Sequence, residues 1–161
     1  MNKKILEINN LSKNFENNGS KISVLNNVNL KMETGKVVAI VGPSGSGKST
    51  FLHLISLLDM PSKGKIKILG KSITDLSDNE KNQLIRENIS IIFQNNNLLS
   101  DFTALENVAL PLLIRDKDYS TSIKLAEKFL KKVNLDHRLK HFPSDLSGGE
   151  QQRVAIARAL I

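Results

Sequence analysis

The sequence predicts an α/β fold in which a β-containing core is followed by a helical region. The run 37–41 is β-branched, leads into a glycine-rich segment and is followed at once by an apolar helical pattern, which is the order strand, turn, helix. Beyond Asn95 the alternating pattern of strands gives way to helix caps and helical periodicity. The predicted divisions are a core over 1–94, a helical subdomain over 95–146 and a last helix over 147–161.

The strand predictions rest on short apolar or alternating runs bounded by turn residues. The first two strands flank the loop 16–20, and the last one ends at Gln94. The predicted strands are 5–8, 24–32, 37–41, 65–69 and 89–93.

The helix predictions rest on caps and on apolar residues spaced three and four apart. Ser77 and Thr103 each precede a glutamate by three residues, which is the capping-box spacing. A further helix carries Ile123, Ala126 and Leu130 on one face. The predicted helices are 51–55, 77–85, 103–114, a segment around 123–133, and 150–161.

The composition is that of an ordinary globular protein. At 161 residues the chain is long enough for one domain, and its hydrophobic content of 40% can form a core. It has no cysteine, no apolar run of about 20 residues and no signal-peptide core near Met1, so we predict a cytosolic protein. The net charge of +7 comes mostly from scattered lysines, which an AT-rich coding sequence would supply and which could also form a functional basic face. Without aromatic residues among them, we predict no direct nucleic-acid partner.

The segment 42–49 has the pattern G-x-x-x-x-G-K-S. Glycines let successive backbone amides point inward around an anion, and the following helix adds its positive N-terminal end. Lys48 supplies a charge for the outer phosphates, and the Ser49 hydroxyl suits Mg²⁺. An ordinary glycine turn before a lysine would not need the strand and helix on either side, so we predict a site for a nucleoside triphosphate. Its residues are Gly42, Pro43, Ser44, Gly45, Ser46, Gly47, Lys48, Ser49 and Thr50.

A second motif is Leu-Ser-Gly-Gly-Glu-Gln at 146–151, followed by Gln-Arg-Val-Ala-Ile-Ala-Arg-Ala. Ser147 can cap the helix that follows, and the two glycines permit close backbone approach. Taken alone, this could be a simple cap with a flexible lead-in. The whole run resembles the signature sequence of the ATP-binding subunits of ABC transporters, and the resemblance extends over the chain in the order of that family's motifs.

The resemblance implies a set of roles. Phe15 corresponds to the aromatic residue that stacks on adenine, and Gln94 to the Q-loop glutamine, which with Ser49 serves Mg²⁺. Lys48 and Gln94 are then the catalytic residues present in the chain. It also implies a head-to-tail homodimer, in which each ATP lies between one chain's phosphate loop and the other chain's signature. The signature residues are Ser147, Gly148, Gly149, Glu150 and Gln151.

The family's further strand ending in Asp-Glu and its switch histidine have no counterpart here. His53, His137 and His141 lie before the position of the switch and are expected at the surface or in packing. The chain therefore resembles the N-terminal part of a full ATPase, incomplete at its C-terminus. We expect the full-length protein to hydrolyse ATP, and the 161 residues alone to be inactive and of low stability. In P-loop folds of this type the missing strand lies beside the strand 37–41 in a central parallel sheet, so without it we expect 37–41 to have an exposed apolar edge.

The resemblance also implies a place in the cell. Two membrane permease subunits would bind the protein at the cytoplasmic face of the bacterial inner membrane. Within the family, 57–61 and 98–114 resemble subunits that drive lipoprotein release, with macrolide-exporter and cell-division types as alternatives. The alternatives from other classes are soluble ABC ATPases that act on nucleic acid and small P-loop kinases. The surface 95–107, with apolar Leu98, Leu99 and Phe102, is the expected groove for a coupling helix of each permease.

Overall fold

The computed structural model describes residues 4–17 and 19–161. The chain forms two compact units, residues 1–85 and 86–161. The functional division into 1–94, 95–146 and 147–161 stays a prediction.

The first unit contains a four-stranded antiparallel sheet in the order β2-β1-β3-β4. The two long strands pair from Lys4 opposite Glu33 to Asn17 opposite Ser20. The predicted loop 16–20 is therefore shorter than expected, and Asn18 lies outside the described residues. The strands are β1 Lys4–Asn17, β2 Ser20–Glu33, β3 Lys63–Ile68 and β4 Lys71–Ser72.

Alternation of apolar and polar residues explains the sheet's buried face. Ile66 and Ile68 of β3 are buried, whereas Lys65 and Lys67 between and before them are exposed. Ile8 of β1 is likewise buried opposite Ile66. The predictions of strands over 5–8, 24–32 and 65–69 are confirmed, apart from one residue at the end of the last.

Two strand predictions were wrong. Neither 37–41 nor 89–93 forms a strand, and Val37 and Val41 are 96% and 86% exposed. A strand exists only when a neighbour accepts its ladder hydrogen bonds, and among the described residues none pairs with either run. The expected parallel sheet is accordingly not formed by the described residues, and the exposed strand edge expected at 37–41 is not formed either, because the exposed side chains there belong to a run that is not a strand.

The helices agree with the sequence. Helix α1 is Lys48–Ile55, and helix α2, Asp78–Asn88, runs from the first unit into the second. The predicted box before α2 is present, with the Ser77 amide donating to Glu80 Oε2 over 2.8 Å.

The second unit is helical, with α3 Ala104–Ile114, α4 Tyr119–Lys132 and α5 Gly148–Leu160. Two short 3₁₀ turns, Asp136–Arg138 and Pro143–Asp145, lie between α4 and α5. One stripe of each helix forms a common core, as the periodicity predicts. The core residues are Ala104, Val108, Ala109, Ala126, Leu130, Leu135, Leu146, Val154 and Ala157. Within 4–17 and 19–161, no helix has the length and apolar character required to cross a membrane.

Candidate functional site

The glycine-rich segment of the first unit forms a tight loop that ends in helix α1. The Ser46 amide donates to Pro43 O over 3.3 Å, which closes a turn. Gly47 has φ of +88° and serves as the N-cap residue of α1. A Cβ at this position would lie 2.9 Å from Leu25 Cδ2 and 3.1 Å from Val24 O. Glycine is therefore required at position 47 both by the backbone conformation and by the approach of β2.

Helix α1 begins without a side-chain cap. Its first internal hydrogen bond runs from the Phe51 amide to Gly47 O over 2.8 Å. The amides of Lys48, Ser49 and Thr50 precede that bond and have no acceptor among the described residues. These donors and the positive end of the helix dipole coincide, so the start of α1 suits an anion.

The Lys48 ammonium lies against the loop that precedes it. Nζ donates to Gly42 O over 2.9 Å and to Pro43 O over 2.7 Å. An ammonium has three protons, so two are engaged and a third is available to an acceptor in the loop. The two carbonyl contacts hold the charge beside the amides of α1 without neutralising it.

A cleft of about 540 Å³ lies beside the loop, within the first unit. Its walls are mainly apolar side chains of β2 and of the run 37–41, and Gly42 and Lys48 line one part of it. The apolar walls offer a phosphate group no hydrogen-bond donors. The backbone amides at the start of α1 and the Lys48 ammonium therefore mark the end of the cleft that favours an anion.

Phe15 lies in β1 opposite Ile22 and is 42% exposed. The Lys13 ammonium lies 4.9 Å from the centroid of its ring. An exposed ring of this kind can accept a stacked base, and the adenine contact of Phe15 stays a prediction.

Gln94 is exposed and lies in a turn of the second unit. The two residues after Asn95 both have positive φ, 54° for Asn96 and 45° for Asn97. Arg158 of α5 holds these two residues, donating from Nη2 to Asn96 O and from Nη1 to Asn97 O, each over 2.8 Å. Burial lowers the pKa of Arg158. The role of Gln94 toward Mg²⁺ stays a prediction.

The signature segment begins α5 with a complete capping box. The Ser147 amide and hydroxyl both donate to Glu150 Oε2 over 2.8 Å, and the Glu150 amide donates back to Ser147 Oγ over 3.3 Å. Arg138 Nε donates to Glu150 Oε1 over 2.8 Å. The bonds from Ser147, joined by the charge of Arg138, lower the pKa of Glu150 to about 2. Ser147 was predicted to cap the helix, and that prediction is confirmed.

The rest of the signature is open. A Cβ at Gly148 or Gly149 would meet no atom within 4 Å. Gln151 is tied to the preceding turn, because its Nε2 lies 2.9 Å from Pro143 O and 3.2 Å from Leu146 O. Sequence reasoning overlooked the Glu150 half of the box, although its spacing from Ser147 is the same S-x-x-E pattern that located α2.

The loop 95–103 is held from inside the second unit by Asn107 of α3, which is fully buried. Asn107 Oδ1 accepts from the Leu99 amide over 2.8 Å, and its Nδ2 lies 3.0 Å from Leu99 O and 2.9 Å from Phe102 O. Leu98 packs against the helical core, whereas Leu99 and Phe102 are 42% and 39% exposed. Leu98 thus belongs to the packing of the unit, and the other two remain available to a partner.

No group of three or more acidic or histidine side chains within the described residues could bind a metal ion. Ser49 offers a hydroxyl oxygen in the first turn of α1, where it is exposed and makes no hydrogen bond among those residues. Mg²⁺ commonly takes one or two protein ligands and fills its shell with water and phosphate oxygens, and the hydroxyl fits that pattern.

Comparison with known proteins identifies the family. A family model described as ABC transporter matches residues 25–161. The chain belongs to this family. Residues 25–161 form the ATP-binding portion of an ABC transporter subunit, and the small P-loop kinase alternative is therefore wrong.

Similar curated ABC transporter subunits include three lipoprotein-releasing system ATP-binding proteins named LolD. The chain is 46% identical to the protein of Wigglesworthia glossinidia brevipalpis, 43% to that of Myxococcus xanthus and 45% to that of Shewanella denitrificans. Each alignment covers 98% of this chain, and 69%, 70% and 68% of the respective relative.

Two solved structures of an ABC cassette have the same fold. One is a dimeric post-hydrolysis state of the ATP-binding cassette MJ0796 bound to ADP and Pi, and the other is described as the dimeric structure of MJ0796, a bacterial ABC transporter cassette. Each superposes with a TM-score of 0.90 at 42% identity, over 97% of this chain and 69% of the solved chain. The predicted fold class, an α/β P-loop ATPase of the ABC type, is confirmed.

Proposed function

We propose that this protein is the ATP-binding subunit of a transporter that releases lipoproteins from the bacterial inner membrane. The observation that carries ATP binding is the uncapped start of α1 beside the Lys48 ammonium. The lipoprotein cargo is supported by the three similar proteins that bear this function in their names.

In this proposal the amides of 45–50 bind the phosphates of ATP, and the third N–H of the Lys48 ammonium donates a hydrogen bond to an outer phosphate oxygen. Ser49, together with Gln94, provides ligands to Mg²⁺, which when bound neutralises part of the phosphate charge. Phe15 stacks on the adenine. Lys48 and Gln94 act in hydrolysis by placing charge and a polar amide near the transferred phosphoryl group.

The working unit is a head-to-tail homodimer. The signature residues 147–151 of one copy meet the ATP held by the phosphate loop of the other, and the dimeric state of the MJ0796 structures supports this arrangement. The interface is isologous, which means that both chains use the same surface, so ATP contributes to both halves of the interface.

A mutation at Ser147 tests the dimer. Ser147→Arg is expected to leave ATP binding by one chain unchanged and to abolish dimers formed with a non-hydrolysable ATP analogue, as measured by size-exclusion chromatography with light scattering. Arg153→Glu, on the exposed face of the same helix, is the matched control for a change of charge. Dimers of Ser147→Arg as stable as those of the wild type would contradict the signature contact.

Two permease subunits bind the surface 95–107 at the cytoplasmic face of the inner membrane. Leu99 and Phe102 support this part of the proposal, because they are exposed apolar side chains on a loop fixed by Asn107. A loop held in one conformation presents a preorganised surface to a coupling helix.

Binding to membrane subunits tests both the surface and the class of transporter. Permeases of a lipoprotein-releasing system, a macrolide exporter and a cell-division system are placed in nanodiscs and offered to the protein. We expect retention by the first alone, and loss of retention in Leu99→Asp. Tyr119→Asp is the control, since Tyr119 is also an exposed apolar side chain, at the start of α4.

The outcomes separate the alternatives. Retention by the macrolide or cell-division permeases instead would replace the lipoprotein assignment with that function. Equal retention of Leu99→Asp and wild type would show that the permease surface lies outside 95–107. A folded Leu99→Asp is verified by its melting transition.

A further inference from the structure

Lys13 has an unusual environment for a lysine. Only 12% of its side chain is exposed, although it carries a charge. Its ammonium donates to Asp59 Oδ1 over 2.6 Å and to Met60 O over 2.8 Å, and lies 4.9 Å from the centroid of the Phe15 ring. A cation within about 6 Å of an aromatic centroid is attracted by the ring. Two hydrogen bonds and one ring contact thus hold the ammonium in place.

The carboxylate that holds Lys13 is itself fixed. The Met60 amide donates to Asp59 Oδ1 over 2.7 Å, so the side chain is held from two sides. The hydrogen bond from Lys13 lowers the pKa of Asp59, so the ion pair favours the charged form of the carboxylate. Asp59 and Met60 follow the C-terminal end of α1, the helix whose start forms the phosphate loop.

The strand is irregular at the same place. The register of β1 against β2 shifts between Leu11 and Lys13 and again between Lys13 and Asn14. Beside these shifts Ser62 bonds the strand, with the Asn14 amide donating to its Oγ over 3.0 Å and its own amide donating to Ser12 O over 3.0 Å. Irregularities of this kind re-aim the side chains that follow, and the next aromatic residue is Phe15.

We propose that Lys13 is a positioning residue for the base of the nucleotide: it fixes the Phe15 ring and ties it to the segment that follows α1. The inference rests on the proposed contact of Phe15 with adenine. A half-exposed aromatic ring loses side-chain freedom when a base stacks on it, and a ring already held by a neighbour loses less. Lys13 thereby strengthens binding of the base while leaving the phosphates to the loop at 42–50.

The test separates base from phosphate by using two ligands. Affinities for Mg-ATP and for Mg-tripolyphosphate, which has no base, are measured by calorimetry for the wild type, Lys13→Met and Phe15→Ala. We expect Lys13→Met to weaken ATP binding about three- to tenfold, the range that a partly desolvated cation–ring contact supports. Its affinity for tripolyphosphate should equal that of the wild type. Phe15→Ala should weaken ATP binding at least as much.

Two further variants guard against a general loss of folding. Lys13→Arg keeps the cation and the donors and is expected to restore most of the ATP affinity. Lys21→Met removes an exposed lysine of the neighbouring strand β2 and should bind both ligands as the wild type does. If Lys13→Met does not fold, the double variant Lys13→Met with Asp59→Asn removes the unpaired carboxylate and is measured in its place.

Three results would overturn the inference. If Phe15→Ala weakens ATP binding and Lys13→Met does not, Phe15 contacts the base without help from Lys13. If Lys13→Met weakens ATP and tripolyphosphate equally, Lys13 acts on the whole site. If Phe15→Ala binds ATP like the wild type, the proposed base contact itself is wrong, and the inference is wrong with it.

Discussion

Helices α1 and α5 both begin in a glycine-containing motif that was predicted to meet phosphate, but they begin in opposite ways. Helix α1 starts at Gly47 in the left-handed conformation and has no side-chain cap. Helix α5 starts at Ser147, whose hydroxyl and amide form a capping box with Glu150. The start of α1 leaves its amide donors to an external anion, whereas the start of α5 satisfies part of its donors with its own capping box.

A helix start that contains glycines is therefore not by itself an anion site. At α5 the Ser147 hydroxyl donates a hydrogen bond to Glu150 Oε2, and the carboxylate adds a negative charge at the helix end. A phosphate would have to compete with that carboxylate for the hydrogen bond from the serine. In the proposed dimer, Ser147 therefore has to turn its hydroxyl from Glu150 to the phosphate, and Arg138, which holds Glu150 Oε1, keeps the carboxylate in place when that hydrogen bond is lost.

The largest expected effect distinguishes the glycines of the two helix starts. Gly47→Ala should lower the free energy of unfolding by about 1–3 kcal/mol and abolish ATP binding, because the alanine would be strained at positive φ and would clash with β2. Gly148→Ala should change the free energy of unfolding by less than about 1 kcal/mol, since its Cβ meets open space. Chemical denaturation measures the free energy of unfolding of both variants. Equal losses would contradict the comparison.

The next effect concerns the other end of α5. Arg158→Gln should lower the free energy of unfolding by about 1–2 kcal/mol, because the carbonyls of Asn96 and Asn97 lose charged donors. Arg153→Gln is the matched control on the same helix, where the side chain is exposed, and should be near neutral. Thermal melting of both variants gives the difference. A neutral Arg158→Gln would show that the carbonyls are satisfied without the arginine.

A smaller effect tests the cap itself. Ser147→Ala removes the acceptor of the Glu150 amide and should lower the free energy of unfolding by about 1 kcal/mol. ATP binding by a single chain should be unchanged, because the donors that bind phosphate in one chain lie at α1. Ser147→Thr keeps the hydroxyl and serves as the control. If Ser147→Ala is as stable as the wild type, the capping box contributes nothing to α5.

The smallest effect is the dependence of stability on pH. The folded pKa of Glu150, about 2, lies below the ordinary value of 4.5, so its contribution is fully present above pH 4.5 and is lost as the pH falls toward 2. Glu150→Gln should remove that part of the slope. Because Glu80 and Glu106 also have lowered pKa values, the test is the difference between variant and wild type. Parallel curves over pH 4.5 to 2 would contradict the assigned pKa.

What the sequence predicted correctly was mostly local. Interactions that act over a few residues have a spacing that predicts their structure. Examples are the capping boxes at Ser77 and Thr103 and the glycines at 42–47. The runs 37–41 and 89–93 have the composition of strands, yet a strand depends on a neighbour that composition does not name.

The candidate site likewise has a part that depends on local sequence and a part that depends on the tertiary fold. The phosphate loop follows from its motif, whereas Lys13 and Asp59 are 46 residues apart, and Arg158 lies 61 residues from Asn97. No periodicity or spacing links such pairs, because their contact depends on the tertiary fold. Their partners were therefore found only in the structure.

The most direct test of the account is calorimetric titration of Mg-ATP into dilute protein, for the wild type, Lys48→Ala and Ser147→Ala. We predict one ATP per chain for the wild type, the same affinity for Ser147→Ala, and a loss of more than tenfold for Lys48→Ala, because a contact between charged groups is removed at α1 only. Wild-type affinity in Lys48→Ala, or an equal loss in Ser147→Ala, would contradict the claim that the uncapped start of α1 is the ATP site of the single chain.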